Sequence, residues 1–196
     1  MNSLSEEACA QIFTEARSFS HWLPKPVSQD TLRQIYELMK WGPTSANSSP
    51  ARILFISSEP EKEKLITGLA PGNIEKVKKA PITAIIAYDE QFYTNIPRLY
   101  PANPSHRDTF AQNEELAKIT RFRNSSLQGA YFIIAARAKG LDCGPMSGFD
   151  NDKIDKLFFN NSSWKSNFLC SLGYGDRTNL YPRSPRLDFD EACKII

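Results

Sequence analysis

The run Trp41-Gly42-Pro43-Thr44-Ser45-Ala46-Asn47-Ser48-Ser49-Pro50 gathers hydroxyls, a carboxamide and free backbone N–H groups with almost no side-chain bulk. That chemistry suits the polar edge of a planar ligand or its phosphate-bearing tail. Composition alone also accommodates an ordinary helix-to-strand connection, because Ser, Asn and Pro are common turn formers. A phosphate on such a ligand needs guanidinium or ammonium groups in fixed geometry. Arg17, Arg183 and Arg186 are the candidates, with Ser18 donating a hydroxyl; taken singly, each arginine also fits a solvated surface. Gly144-Pro145-Met146-Ser147-Gly148 has little Cβ bulk, so its backbone can come close to a flat ring. The alternative there is a tight turn between two helices. Lys76 offers a positive charge, although Lys76, Lys78 and Lys79 also fit one solvated helix face.

Other chemistries find little support. His21 and His106 are too isolated for a zinc site or a catalytic triad. Neither a phosphate-binding G-x-x-x-x-G-K-[ST] nor a dinucleotide-binding G-x-G-x-x-G occurs. Cys143 has no base near it in sequence, which favours a buried thiol over a nucleophile.

Five segments, in order along the chain, resemble the nitroreductase family of FMN-dependent NAD(P)H oxidoreductases. The 41–50 loop is similar to that family's Pro-Ser-Ser-x-Asn-x-x-Pro signature, and Ala16-Arg17-Ser18 to its Arg-Arg-Ser phosphate motif. Asn73-Ile74-Glu75-Lys76 matches an Asn-x-x-Lys cofactor contact. Gly140–Phe149 is similar to the segment laid against the flavin, and Leu172–Gly175 with Pro182–Arg186 to the closing strand and basic clamp. The resemblance is nearest to a short malonic semialdehyde reductase branch. It departs at Ser20, where the family motif often carries a further basic residue, and this shifts weight onto Arg183 and Arg186.

The resemblance implies an α+β fold with a mixed central sheet wrapped by helices, in an intertwined homodimer. It implies FMN as cofactor and NADH or NADPH as reductant. Pro43, Thr44, Ser45, Asn47 and Asn124 would reach the flavin from the partner subunit. Asn73 and Lys76 would approach the pyrimidine side, where the charge of reduced flavin lies near N1 and O2. Pro145, Met146, Ser147 and Gly148 would line the ring, with a backbone N–H at Ser147 or Gly148 aimed at N5, the atom that takes up hydride. Arg17, Ser18, Ser20, Arg183 and Arg186 would surround the phosphate. No catalytic side chain is expected, because the ring-contacting segments hold no His or carboxylate. The oxidant implied by the branch is malonic semialdehyde, reduced to 3-hydroxypropionate. A nitroaromatic or quinone oxidant and a flavin-binding sensor without turnover are the alternatives.

The elements that position these residues follow from periodicity. With 196 residues the chain suits one domain with one sizeable core. Lys and Arg total 24 against 22 Asp and Glu, with no basic stripe carrying interleaved aromatics, which argues against nucleic acid as partner. No apolar run approaches the about 20 residues of a membrane span. The polar, acidic start predicts no signal peptide, and widely spaced Cys9, Cys143, Cys170 and Cys193 predict reduced thiols in the cytoplasm.

Ser3-x-x-Glu6 predicts a capping box opening a helix to about Arg17. Ser28 predicts the cap of a second, with Leu32, Ile35, Leu38 and Met39 on one face. Strands are expected at Ala51–Ser57, Ile82–Tyr88 and Phe168–Leu172. Helices are expected at Glu59–Thr67, Phe110–Ala117, Arg121–Lys139 and Asp150–Phe159, with a short turn at Asn73–Lys79. In the longest, Leu127, Tyr131, Ile134 and Ala138 share a face, and so apolar a helix predicts a central or dimer-interface position. Asp89–Asp108, with three prolines, predicts a long lid or a subunit-wrapping loop.

Overall fold

The computed structural model describes residues 2–196. The first helix, α1 (Glu6–Cys9), is capped by Ser5 rather than Ser3: the Ser5 hydroxyl accepts from the Ala8 N–H at 3.1 Å. It loosens into a π-helical turn over Ala10–Thr14 and ends before Arg17. Bonds from elsewhere pull on this turn. Arg137 Nη1 donates to the Ile12 carbonyl at 3.0 Å, and Gln11 Nε2 donates to the Arg137 carbonyl at 2.7 Å.

Helix α2 (Gln29–Met39) starts at Ser28 as predicted and buries Leu32, Ile35 and Met39. It stops against Tyr131, whose ring a Cβ on Gly42 would meet at 2.1 Å. Strand β1 (Ala51–Ile56), α3 (Glu59–Ile66), α4 (Pro71–Lys79) and β2 (Ile82–Asp89) follow. Helix α4 is longer than the expected turn, because Pro71 presets its first residue.

The proline-rich stretch after Asp89 is structured. It holds a 3-10 turn (Phe92–Asn95), α5 (Ile96–Leu99) and the start of α6 (His106–Gln112). Phe92 and Ile96 are fully buried against Phe110 and Ala117. Asn113 interrupts the helix expected over Phe110–Ala117. It ends α6 and caps α7 (Glu114–Ala138), its side chain accepting from the Leu116 N–H at 3.0 Å.

Strand β3 (Asp142–Met146), α8 (Asn151–Phe158), β4 (Trp164–Gly173) and α9 (Phe189–Ala192) complete the chain. Periodicity did not predict β3, whose Gly144 and Pro145 hide the strand pattern. Pro145 is tolerated because β3 is an edge strand in the order β1-β2-β4-β3. The fold is α+β as expected, but the sheet is antiparallel at every strand pair instead of mixed. Among the described residues the one parallel contact is an isolated bridge between Ser18 and Cys143. One sheet face packs on Leu32, Ile35, Phe132 and Ala136 from α2 and α7. The other packs on Leu65, Val77 and Ile154 from α3, α4 and α8.

Helix α7 departs from its expected face. Its second half buries Phe132, Ala135 and Ala136, while its first half buries Thr120, Arg121, Asn124, Ser125 and Gln128. Leu116, Ile119, Phe122 and Leu127 point outward, Phe122 with 55% of its surface exposed. Buried polar groups need partners; several of these have them, although Arg121 Nε and Nη1 are buried without one. Gln128 Oε1 accepts from the Ala51 N–H at 2.8 Å, Ser125 Oγ accepts from Asn167 Nδ2 at 2.9 Å, and Arg121 Nη2 donates to Glu114 at 2.7 Å.

Candidate functional site

The loop after α2 is held in a conformation it would not adopt alone. Ala46, Asn47 and Ser49 have φ of 51°, 47° and 41°, the left-handed region that costs a non-glycine residue roughly 1–3 kcal/mol. Tertiary bonds fix it. Tyr131 donates its hydroxyl to the Pro43 carbonyl at 3.0 Å, and the Ser49 N–H donates to Thr44 Oγ1 at 3.1 Å. The Ser45 N–H donates to Asn124 Oδ1 at 2.8 Å, while Asn124 Nδ2 donates to the Thr120 carbonyl at 2.8 Å. Asn47 Nδ2 donates to the Leu99 carbonyl at 2.7 Å, tying the loop to α5. Asn124 is thus a buried anchor, whereas Pro43, Ser45 and Asn47 face outward. The Ser48 hydroxyl is buried without a hydrogen-bond partner.

A second cluster forms where α4 meets the chain after β3. Asn73 Nδ2 and the Ala70 N–H both donate to the Gly148 carbonyl at 2.9 Å. Lys76 Nζ donates to Asn73 Oδ1 at 3.3 Å. A Cβ on Gly148 would meet Asn73 Nδ2 at 2.8 Å, so a larger residue would push the Asn73 amide aside. Pro145, Ser147 and Gly148 are exposed. Met146 differs from expectation: its side chain lies in the core with Leu169 and Ile154, because strand alternation turns it inward and leaves only its backbone for a ligand.

A third cluster lies at the start of β3. The Phe19 N–H donates to the Cys143 carbonyl at 3.0 Å, and a Cβ on Gly144 would meet the Phe19 carbonyl oxygen at 2.3 Å. The chain carrying exposed Ser18 and half-buried Ser20 therefore runs alongside β3. Arg17 Nη2 donates to the Tyr181 carbonyl, and Arg183 Nη2 donates to the Ala16 carbonyl at 3.1 Å. These reciprocal bonds bring Arg17 and Arg183 together. Arg186 is not part of this pairing; its Nη1 donates to the Ser184 and Pro185 carbonyls of its own tail, both at 2.9 Å.

Two supporting residues carried no sequence signal. Trp22 Nε1 donates to the Lys76 carbonyl at 3.3 Å, which joins the second cluster to the third. Asp142 accepts from the Gly175 N–H at 2.9 Å and pairs with Arg177 at 3.5 Å, holding the end of β4 against β3. Both act through contacts distant in sequence, and although Asp142 lies within the Gly140–Phe149 segment, its partners Gly175 and Arg177 do not.

Among the described residues no hydrogen bond links the 43–50 loop to the other two clusters, and no group of His, Cys, Asp or Glu could hold a metal ion. Cys143 and Cys170 are both fully buried. The neighbouring Cys143 thiol, and then burial, push the Cys170 thiol well above its usual range, so Cys170 is not poised as a nucleophile. The donor set fits an elongated anionic cofactor. Two guanidiniums and a hydroxyl at one end suit a phosphate, and an amide, an ammonium and a bare glycine backbone at the other suit a polar ring edge.

Comparison with known proteins agrees. The model of the nitroreductase family matches residues 14–174. A protein of Cupriavidus pinatubonensis, provisionally named NADH dehydrogenase/NAD(P)H nitroreductase, is 51% identical over 193 residues, covering 97% of this chain and 98% of that one. A similarly named protein of Rhodopseudomonas palustris is 49% identical, covering 100% of this chain and 99% of that one. Among solved structures, a nitroreductase-like protein of Exiguobacterium sibiricum in complex with FMN superposes with a TM-score of 0.86 at 21% identity, covering 100% of both chains. No helix among the described residues is long and apolar enough to cross a membrane.

Proposed function

The chain belongs to the nitroreductase family, and from that premise we propose that residues 1–196 form one FMN-dependent NAD(P)H oxidoreductase domain. The observation that carries this reading is the service of β3 by two donor sets. Arg17, Arg183 and Ser18 gather near its start, and Asn73, Lys76 and Gly148 just past its end. A phosphate at the first and a polar ring edge at the second would lay the cofactor along the strand.

When bound, FMN supplies the redox chemistry, accepting hydride from NAD(P)H and giving it to an oxidant. The chain binds and orients. Arg17 and Arg183 hold the phosphate, with Ser18 and Ser20 beside it. Asn73 holds the Gly148 carbonyl, and the backbone N–H groups near Ser147 and Gly148 would be the donors offered to the cofactor. Lys76 places positive charge where reduced flavin gathers negative charge. No side chain in the clusters is placed to move a proton, so the proton that completes an alcohol product would come from solvent, and catalysis would rest on alignment of two stacked rings.

We propose malonic semialdehyde as the oxidant, reduced to 3-hydroxypropionate, because the 41–50 loop and the Gly144–Asp150 segment resemble that branch. A nitroaromatic or quinone oxidant is the second reading, supported by the names of the relatives. The rival from another class is a flavin-binding sensor.

A homodimer is part of this proposal, supported by the inverted first half of α7. An outward row of Leu116, Ile119, Phe122 and Leu127 over an inward polar face suits a second copy better than water. In that dimer Pro43, Thr44, Ser45 and Asn47 would border the flavin held by the partner, with Asn124 fixing their loop. Free thiols fit a cytoplasmic setting. Anaerobic bleaching of bound flavin by NADH or NADPH, then reoxidation by a panel of aldehyde, nitroaromatic and quinone oxidants, tests the reading. A flavin that NAD(P)H leaves oxidised would favour the sensor.

A further inference from the structure

The three lysines of α4 are not alike. Lys78 pairs with Glu63 at 3.8 Å, and Lys79 with Glu75 at 3.7 Å. Lys76 is half-buried and, among the described residues, has no carboxylate partner. Its Nζ donates to the Asn73 amide oxygen at 3.3 Å, which leaves its charge unneutralised. A lysine head sits on a flexible four-carbon stem. Its charge stands in one place only if the base of that stem is held.

A group from outside the helix holds it. Trp22 Nε1 donates to the Lys76 carbonyl at 3.3 Å, an acceptor in the last turn of α4 that the Ala80 N–H also reaches, at 3.2 Å. The indole is itself wedged. A Cβ on Gly144 of β3 would meet Trp22 Cζ2 at 3.2 Å, and one on Gly173 of β4 would meet Trp22 Cε3 at 3.0 Å. A side chain at either position would therefore crowd the indole. The Phe19 ring packs on its other neighbours' side at 6.3 Å between centroids. The backbone is pinned as well, by bridges from Ser18 to Cys143 and from Trp22 to Gly175. Any flat ring could meet the packing. The indole N–H adds a bond to the one residue of α4 whose charge is free.

We propose that Trp22 is a positioning residue: through the Lys76 carbonyl it fixes the Lys76 ammonium at the pyrimidine edge of FMN and so raises the flavin's reduction potential. This rests on the reading that Lys76 faces that edge. Reduced flavin gathers negative charge there. A fixed ammonium close by favours the reduced form, and one that swings into water favours it less.

The test is an anaerobic spectroelectrochemical titration of the FMN-loaded protein. Lys76→Met should lower the preference for reduced over oxidised flavin about tenfold or more, a drop of about 30 mV for a two-electron couple. Trp22→Phe keeps a flat ring without the N–H and should lower it about threefold to tenfold, or about 15–30 mV. Lys79→Met, which removes a paired lysine of the same helix, should keep the wild-type potential. Because Trp22 acts through Lys76, the double variant should match Lys76→Met alone. A role in packing alone would lower the melting temperature and leave the potential where it was.

An unchanged potential in Trp22→Phe, beside a lowered one in Lys76→Met, would overturn the proposal and leave the reading of the site standing. An unchanged potential in Lys76→Met would remove the ammonium from the pyrimidine edge, and this proposal with it. Additive drops in the double variant would show Trp22 acting by another route and would equally overturn it. Should Trp22→Phe not retain FMN, 3-benzothienylalanine placed at position 22 keeps the shape of the indole without its N–H, and an unchanged potential there would overturn the proposal. A wild-type protein that takes up no FMN would overturn the functional reading first.

Discussion

The backbone N–H of Ser45 donates to Asn124 Oδ1 at 2.8 Å, which fastens the strained 43–50 loop to the middle of the longest helix. Asn124 is 2% exposed, and its amide nitrogen is committed to the Thr120 carbonyl. Asn124→Leu keeps the volume and removes both bonds. It leaves the Ser45 N–H without its acceptor, at a cost of about 1–3 kcal/mol. The melting temperature should fall by roughly 2–4 °C per kcal/mol for a domain of this size, and FMN should bind more weakly. Scanning calorimetry and an FMN titration check this; unchanged values would show that the loop holds itself.

The two tail arginines should separate. Arg183 reaches across to the Ala16 carbonyl beside Arg17, whereas Arg186 bonds only its own tail. Arg183→Ala should weaken FMN retention by about 1.5–3 kcal/mol, the usual loss for a bond to a charged group. Arg186→Ala should change it much less. Equilibrium dialysis of FMN decides, and equal losses would return Arg186 to the clamp.

The sequence made much of this legible where chemistry is local. Ser28 predicted the start of α2, and Ile82–Tyr88 predicted a strand that the structure extends by Asp89. Asn73, Lys76 and Gly148 were each named from local motifs, and the structure brings them together through a bond between residues 75 positions apart. What escaped depends on partners far along the chain. Strand β3 is invisible by composition and exists because β4 pairs with it. The inward turn of Met146 follows from that missed strand. Helix α7 shows the same limit from another side. Its apolar residues gave helical periodicity correctly, yet the bonds of Gln128, Ser125 and Arg121 decide which face turns in.

That inverted face predicts an oligomer. Ile119→Glu with Phe122→Glu places two charges on the exposed apolar row without touching the buried polar side. The wild type should sediment as a dimer, and the double variant should shift toward monomer and lose FMN together. Interfaces that complete a site commonly leave no stable folded monomer. A wild-type monomer, or a monomeric variant holding FMN as tightly as the wild type, would refute the arrangement.

All four cysteines should titrate as thiols after unfolding without reductant. Cys143 and Cys170 share a buried core but lie diagonally across the β3–β4 ladder, where Cys143 is opposite Leu172 and Cys170 opposite Pro145. Diagonal neighbours have Cα atoms about 7–8 Å apart, beyond the usual disulfide span of about 4.4–6.8 Å. Mass spectrometry showing a Cys143–Cys170 bridge in fresh protein would contradict this.

The most direct measurement of the central claim is the flavin itself. Purified protein, or protein incubated with FMN and desalted, should carry about one FMN per chain by absorbance, and anaerobic NADH or NADPH should bleach it. A colourless protein that takes up no FMN and quenches no flavin fluorescence would contradict the account.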